Sequence, residues 1–307
     1  MRLTEIAATD FDLAMTLESG QVFYWRKAGD GFVGAIGDEP VYLEQRGETL
    51  RFAGGSAKLI KHYFALDHPL AEICASFPDD PAMNEARAFC RGLRIMRQPR
   101  WECLASFITS SMKQVAHIRK MSAALRQRFG QARHIRGHAV YPFPSPEMIG
   151  QRSEADLRGC ALGYRAKNLL ATARRIASGE VNLDGWESLP DPELRTSLGQ
   201  LPGVGAKVAN CVMLFAYERL QAFPIDVWIA RVLLERYFPR KRKVTERQMR
   251  DFSQDYFGAH GGYAQQYLFH HARQTTPRQR TSGKRRASGA GECVPLRSTR
   301  DLSRSHR

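Results

Sequence analysis

Between residues 20 and 54 the chain alternates short apolar, β-prone runs with turn clusters. The runs at 22–26, 32–36, 40–45 and 49–53 are separated by Gly29-Asp-Gly31, Gly37-Asp38 and Arg46-Gly-Glu48, a spacing that predicts an antiparallel meander. Gly54-Gly-Ser56 closes that stretch, and the apolar period then becomes helical. Helices are predicted at 57–66, 68–77, 81–90, 100–112, 114–129, 145–150, 154–159 and 164–178. Five more follow at 191–199, 206–218, 226–237, 245–256 and 260–271. Most are short, with Pro, Gly or Asp between them as a stop or cap. Pro142-Phe-Pro-Ser-Pro146 separates two helical groups, and no internal repeat is visible. The pattern predicts an α+β fold. A small N-terminal antiparallel sheet domain with flanking helices is expected over 1–92, and a mainly α-helical domain over 93–276.

Composition narrows the class. At 307 residues there is room for about two ordinary domains, and 43% hydrophobic with 25% charged residues describes a globular chain. The longest near-apolar run, 208–217, is about half a membrane span. Glu5, Asp10 and Asp12 near the N-terminus do not suit a signal peptide. The six cysteines are scattered without a CxxC pair, which suits neither a zinc site nor a disulfide framework, so a reducing cytosol is the expected compartment.

The formal net charge of +15 points to a polyanionic partner, above all nucleic acid. Part of it is local. Nine Lys/Arg and two acids lie at 277–307, a net of +7, which leaves +8 for 1–276. That Arg/Ser/Gly-rich segment has almost no apolar periodicity and reads as a basic, disordered tail. It is either a solvated end or a non-specific nucleic-acid tether.

The most informative stretch is Leu201-Pro-Gly-Val-Gly-Ala-Lys-Val-Ala-Asn-Cys211. It predicts two helices joined by a glycine turn, a hairpin near 192–218. Gly203 and Gly205 are expected to take positive φ and to let a ligand approach the backbone. Unpaired amides at the start of the second helix suit a phosphate. A simple turn with capping glycines is the alternative. Lys207 sits in the first turn of that helix, where the positive helix end and partial desolvation favour the neutral, nucleophilic amine. An exposed phosphate-contacting lysine is the plainer reading. Asp226, nineteen residues on, precedes an apolar helix and is a good N-cap. One intervening helix and turn can also fold its carboxylate back towards Lys207. Amine plus carboxylate beside a phosphodiester is equipment for attack on a sugar C1′.

With these residues in hand, the chain resembles the 8-oxoguanine DNA glycosylase/AP lyase family of the helix–hairpin–helix glycosylase superfamily. Beyond the hairpin, similarity is carried in order by Ser19-Gly-Gln-Val-Phe-Tyr-Trp25, Arg97-Gln-Pro-Arg-Trp-Glu-Cys-Leu104 and Ser106-Phe-Ile-Thr-Ser-Ser111. Leu162-Gly-Tyr-Arg-Ala166 and Tyr263-Ala-Gln-Gln-Tyr-Leu-Phe269 extend it, so that it spans roughly 10–273. The resemblance implies a bifunctional enzyme that flips 8-oxoguanine out of duplex DNA, excises it through a lysine Schiff base and then cleaves the strand by β-elimination. Lys207 and Asp226 take the catalytic positions. Guanine carries a lone pair at N7 where the oxidised base carries N–H, and the family reads this with the carbonyl of the SGQ glycine, here Gly20. Cys211 and Phe269 would sandwich the base and Gln265 would bond its Watson–Crick edge. Without the family, the first two read as core packing and the third as a surface amide.

Tyr164 and Arg165 match the family's wedge and opposite-strand pair, although an exposed Tyr-Arg pair is otherwise commonplace. With Gly203, Gly205, Val208 and His117 they complete the expected DNA contacts.

The sequence also departs from the family. Better-known members carry three asparagines after Ser110-Ser111 and an arginine shortly after, whereas this chain reads Met112-Lys-Gln-Val-Ala-His117. The family histidine two residues after the aspartate is Trp228. An enzyme more tolerant of the opposite base is expected. Only Cys293 lies beyond Asp226, so a four-cysteine iron–sulfur cluster lacks ligands. No cofactor or catalytic metal is expected; a monovalent cation on the carbonyls of Gly199, Leu201 and Val204 follows by family analogy alone. The expected partner is duplex DNA containing oxidised guanine, with no membrane, for a monomeric enzyme. The rivals are a glycosylase for a different damaged purine and a non-catalytic helix–hairpin–helix DNA-binding protein.

Overall fold

A computed structural model describes residues 3–241 and 243–275. The tail expected at 277–307 lies outside the described residues. Five antiparallel strands, β1 (Thr4–Ala7), β2 (Arg26–Ala28), β3 (Gly31–Ile36), β4 (Glu39–Arg46) and β5 (Thr49–Ala53), form one sheet in the order β1-β5-β4-β3-β2. Side chains alternate between its two faces. Phe32, Leu43 and Phe52 pair across β3, β4 and β5 and pack on the helix Ala57–Tyr63. Burying each stabilises the sheet by roughly 1.5–3 kcal/mol. The next row, Val33, Tyr42 and Ala53, faces the other way and is covered by Ile135 and Val140 of a small hairpin, β6 (Arg133–Ile135) and β7 (His138–Val140).

Two strand expectations are corrected. The run at 22–26 is irregular, with a bend at Phe23, and does not pair until Arg26. Its side chains serve two cores at once: Val22 and Trp25 join the sheet's core while Phe23 enters that of the helices. Conversely, β1 pairs with β5 although only Ile6 is even partly buried, so it leaves no alternation to read.

All thirteen predicted helices are present within a few residues. The one expected at 226–237 is α-helical only over Val227–Val232 and finishes as a π turn, Leu233–Tyr237. The sequence missed a short helix at Leu13–Glu18. Helices Leu70–Ala75 and Pro81–Phe89, assigned above to the N-terminal part, share the core of the helical body. At its centre runs Arg100–Ser110, buried from Glu102 to Ser110. A helix buried all round cannot avoid its polar residues. Glu102 is matched by the guanidinium of Arg126 at 2.5 Å, which lies 3.8 Å over the Tyr24 ring. Among the described residues no helix is long and apolar enough to cross a membrane.

Gln21 joins sheet and helices. Its Nε2 donates to the carbonyl of Arg94 at 2.8 Å and its Oε1 accepts from the Met96 amide at 2.9 Å. Gln98 Nε2 donates to the Gln21 carbonyl at 2.8 Å, and the Gln98 amide to that of Phe215 at 2.7 Å. The segment 19–21 is thereby fixed against the helix Ala206–Ala216.

Candidate active site

The hairpin is formed by Asp191–Gly199 and Ala206–Ala216. Gly203 has φ +83°, and a β-carbon on it would stand 2.8 Å from that of Asn168, so conformation and space both demand glycine. Gly205 does not behave as expected: at φ −94° and ψ −178° it is merely extended. A β-carbon there would touch nothing within 4 Å, so its effect is to leave the helix start open. No side chain caps that start, and the amides of Ala206, Lys207 and Val208 remain available to an anion. Val208 offers only its amide, since its side chain is in the core. Among the carbonyls suggested for a cation, that of Leu201 accepts the Val204 amide at 3.1 Å.

Lys207, the second residue of this helix, holds its amine 4.9 Å from the ring centroid of Phe107, which stacks on Phe215. One turn later lies Cys211, whose thiol is pushed up by burial while the nearby charge of Lys207 pulls it down. The charge of Asp226 raises the same thiol, so lysine, cysteine and aspartate influence one another electrostatically. Asp226 is indeed an N-cap: its Oδ1 accepts from the amides of Trp228 at 3.0 Å and Ile229 at 2.9 Å. Its Oδ2 makes no hydrogen bond among the described residues. Burial raises the carboxyl above its ordinary value, opposed by those amides and by the charges of Lys207 and Arg273. One oxygen thus holds a helix while the other remains available.

The helix Gly261–Thr275 presents Gln265, Phe269 and Arg273 at four-residue intervals, hence on one face. Gln265 is only 4% exposed, and its Oε1 is buried without a hydrogen-bond partner among the described residues. Leaving such an acceptor unpaired costs on the order of 1–3 kcal/mol, which a ligand donor would offset. Gly20 faces Phe269. At φ +95° it suits only glycine, and a β-carbon would sit 3.1 Å from the Phe269 ring and 2.6 Å from Arg273 Nη1. Gln266 Nε2 donates to the Ser19 carbonyl at 3.2 Å, and Arg273 Nη2 to that of Glu18 at 2.6 Å. The Gly20 turn and the Phe269 helix are therefore held as a pair.

The expected strand-facing residues divide. Tyr164 is 58% exposed and Met112 is 87% exposed with φ +57°, so both project from the surface. His117 is exposed on the helix Val115–Phe129. Arg165, expected to contact the opposite strand, is instead turned inward. It is 4% exposed, its Nε and Nη2 donate to the Ser111 carbonyl and its Nη1 to that of Leu162. In this conformation it braces the turn that displays Met112. Sequence reasoning missed Arg273, Gln266 and Gln21. For Arg273 a signal existed, since it lies four residues beyond Phe269 on a predicted helix. The two glutamines lie in the quoted motifs, but their partners, backbone groups distant in sequence, could not be read there.

Comparison with known proteins agrees with this arrangement. Residues 4–104 match the model of the 8-oxoguanine DNA glycosylase N-terminal domain, and residues 105–256 match that of the HhH-GPD superfamily of base excision DNA repair proteins. An N-glycosylase/DNA lyase of Arabidopsis thaliana is 30% identical over 86% of this chain and 78% of its own. A probable N-glycosylase/DNA lyase of Methanothermobacter thermautotrophicus is 29% identical over 88% of this chain and 96% of its own. The Clostridium acetobutylicum 8-oxoguanine glycosylase/lyase, solved with duplex DNA containing cytosine opposite 8-oxoguanine, superposes with a TM-score of 0.83. It is 31% identical and aligns over 89% of this chain and 96% of that one. The chain belongs to the 8-oxoguanine DNA glycosylase family of the HhH-GPD superfamily of base excision DNA repair proteins.

Proposed function

We propose that the protein is a bifunctional DNA glycosylase/AP lyase that excises 8-oxoguanine from duplex DNA, acting as a monomer in the cytosol. Two observations carry the reading: Lys207, Cys211 and Asp226 act on one another electrostatically, and Gln265 keeps a buried, unpaired Oε1. A purely DNA-binding hairpin needs none of these groups. The backbone amides at 206–208 bind a phosphate, and Tyr164 enters the stack as the lesion leaves it. The base lies between Cys211 and Phe269. Gln265 Oε1 accepts from its Watson–Crick edge, and the Gly20 carbonyl accepts from N7–H.

Lys207 Nζ then bonds to C1′ as the C1′–N9 bond breaks. The electron pair leaves with the base, which takes up a proton. The unbonded Oδ2 of Asp226 stabilises positive charge developing on the sugar. The amine gives up its protons as the sugar ring opens to the imine. Loss of a C2′ proton expels the 3′ phosphate, and water releases Lys207.

Borohydride reduces such an imine to a stable crosslink. Duplexes with 8-oxoguanine opposite each of the four bases are incubated with borohydride and either the native enzyme or Lys207→Gln. A crosslink on the lesion, absent on guanine and lost in the variant, is expected. Duplex binding without crosslink or base release would identify a binding module instead.

A further inference from the structure

The lesion differs from guanine at two adjacent atoms: N7 becomes a donor, and C8 gains a carbonyl oxygen, an acceptor. Reading both requires an acceptor and a donor side by side in the pocket. The carbonyl of Gly20 supplies only the acceptor. A donor stands close to the same glycine. Arg273 Nη1 lies 2.6 Å from the position of a Gly20 β-carbon, and the guanidinium carbon is 5.3 Å from the centroid of Phe269. The group therefore borders both Gly20 and the ring proposed above to face the base.

Its orientation is fixed and its capacity is not exhausted. Nη2 donates to the Glu18 carbonyl and contacts His270 Nδ1 at 3.3 Å, whereas Nη1 has no hydrogen-bond partner among the described residues. Asp226 and Glu18 act on it from a distance, opposed by Arg119 of the helix Val115–Phe129. Burial, then the charge of Arg119, lowers the guanidinium to about 10, which leaves it charged at neutral pH.

Resting on the 8-oxoguanine reading above, we infer that Arg273 is a specificity-determining residue whose Nη1 donates to the C8 oxygen of the lesion beside the Gly20 carbonyl. Guanine has only C8–H at that place and would leave a partly buried cation unpaired. A site built around such a donor rejects the analogue lacking its acceptor more strongly than shape alone can.

The test is a cycle of two enzymes and two bases. Release of 8-oxoguanine and of 8-thioxoguanine, which keeps N7–H but offers sulfur as a poor acceptor, is measured with native enzyme and with Arg273→Leu. The native enzyme should prefer the oxo base by about 10- to 100-fold, the range of one hydrogen bond to a charged group. Arg273→Leu should lose about that factor on the oxo base and little on the thioxo base, bringing the ratio close to unity. Cleavage at a preformed abasic site, where the pocket holds no base, reports folding and should persist. Arg273→Lys, which retains a charged donor, should recover part of the preference.

Equal losses on both bases with abasic cleavage retained would reduce Arg273 to a brace for the Glu18 turn and overturn the inference. So would a variant that discriminates better against guanine, since an arginine contacting N7 favours the normal base. A native enzyme that releases neither base would instead overturn the proposed substrate, and this inference with it.

Discussion

Gln266 reaches from the helix Gly261–Thr275 to the Ser19 carbonyl, a 3.2 Å bond between residues 247 positions apart. It ties the turn containing Gly20 to the helix carrying Gln265 and Phe269. Replacing Gln266, itself 3% exposed, with Leu leaves that carbonyl without its donor. The expected cost is roughly 1–3 kcal/mol in stability. The expected kinetic effect is a larger loss on 8-oxoguanine release than on abasic-site cleavage, because the recognition edge moves while the nucleophile does not. Denaturant titration and the two rate measurements check it.

Asp226 caps a helix and, in the proposed mechanism, also faces the sugar; one substitution separates the two. Asparagine caps a helix about as well as aspartate, so Asp226→Asn should change stability by only a few tenths of a kcal/mol. Loss of the negative charge should slow base release by about 10²-fold or more. A melting curve and single-turnover kinetics on one preparation decide the matter. Slow release accompanied by a collapsed melting temperature would show the cap to be the whole role.

Met112 has no hydrogen-bonding side chain, His117 offers an imidazole, and Arg165 is tied to the Ser111 carbonyl. None of the three offers the opposite base a free planar donor pair. Release rates with A, C, G or T opposite the lesion should therefore lie within about tenfold, less than one good bidentate contact provides. The double substitution Met112→Asn with His117→Arg should widen the spread in favour of cytosine.

The Glu102–Arg126 pair, 5% and 4% exposed in its side chains, is a buried ion pair that punishes half-removal. Burial pushes the Glu102 carboxyl up, and the guanidinium opposes it. Arg126→Met alone should cost about 3–5 kcal/mol. Adding Glu102→Leu should recover much of that, since no charge is then stranded. Chemical denaturation of both variants measures the difference.

Burial, followed by the charge of Arg273, lowers His270 from its usual 6.5 to about 4. Between those values the unfolded chain binds a proton that the folded chain refuses. Stability contributed by the neutral ring is therefore complete above about pH 6.5 and is lost progressively as pH falls towards 4. His270→Gln should show a shallower fall in melting temperature from pH 7 to 4.5 than the native protein.

The sequence alone determined the helix positions, three strands of the sheet, the hairpin and the N-cap at Asp226. All of these depend on local signals: an apolar period, a glycine with positive φ at 203, a capping carboxylate before a hydrophobic run. It misread 22–26, because alternation there serves two different cores and not one sheet face. It missed β1, whose bonds to β5 involve backbone alone. Only the tertiary structure decided that Arg165 is buried against the Ser111 carbonyl, that Gly205 is extended, and that Arg273 stands beside Gly20. The placing of the two arginines depends on contacts between residues tens to hundreds of positions apart, and the competition among a side chain's possible partners is settled by packing.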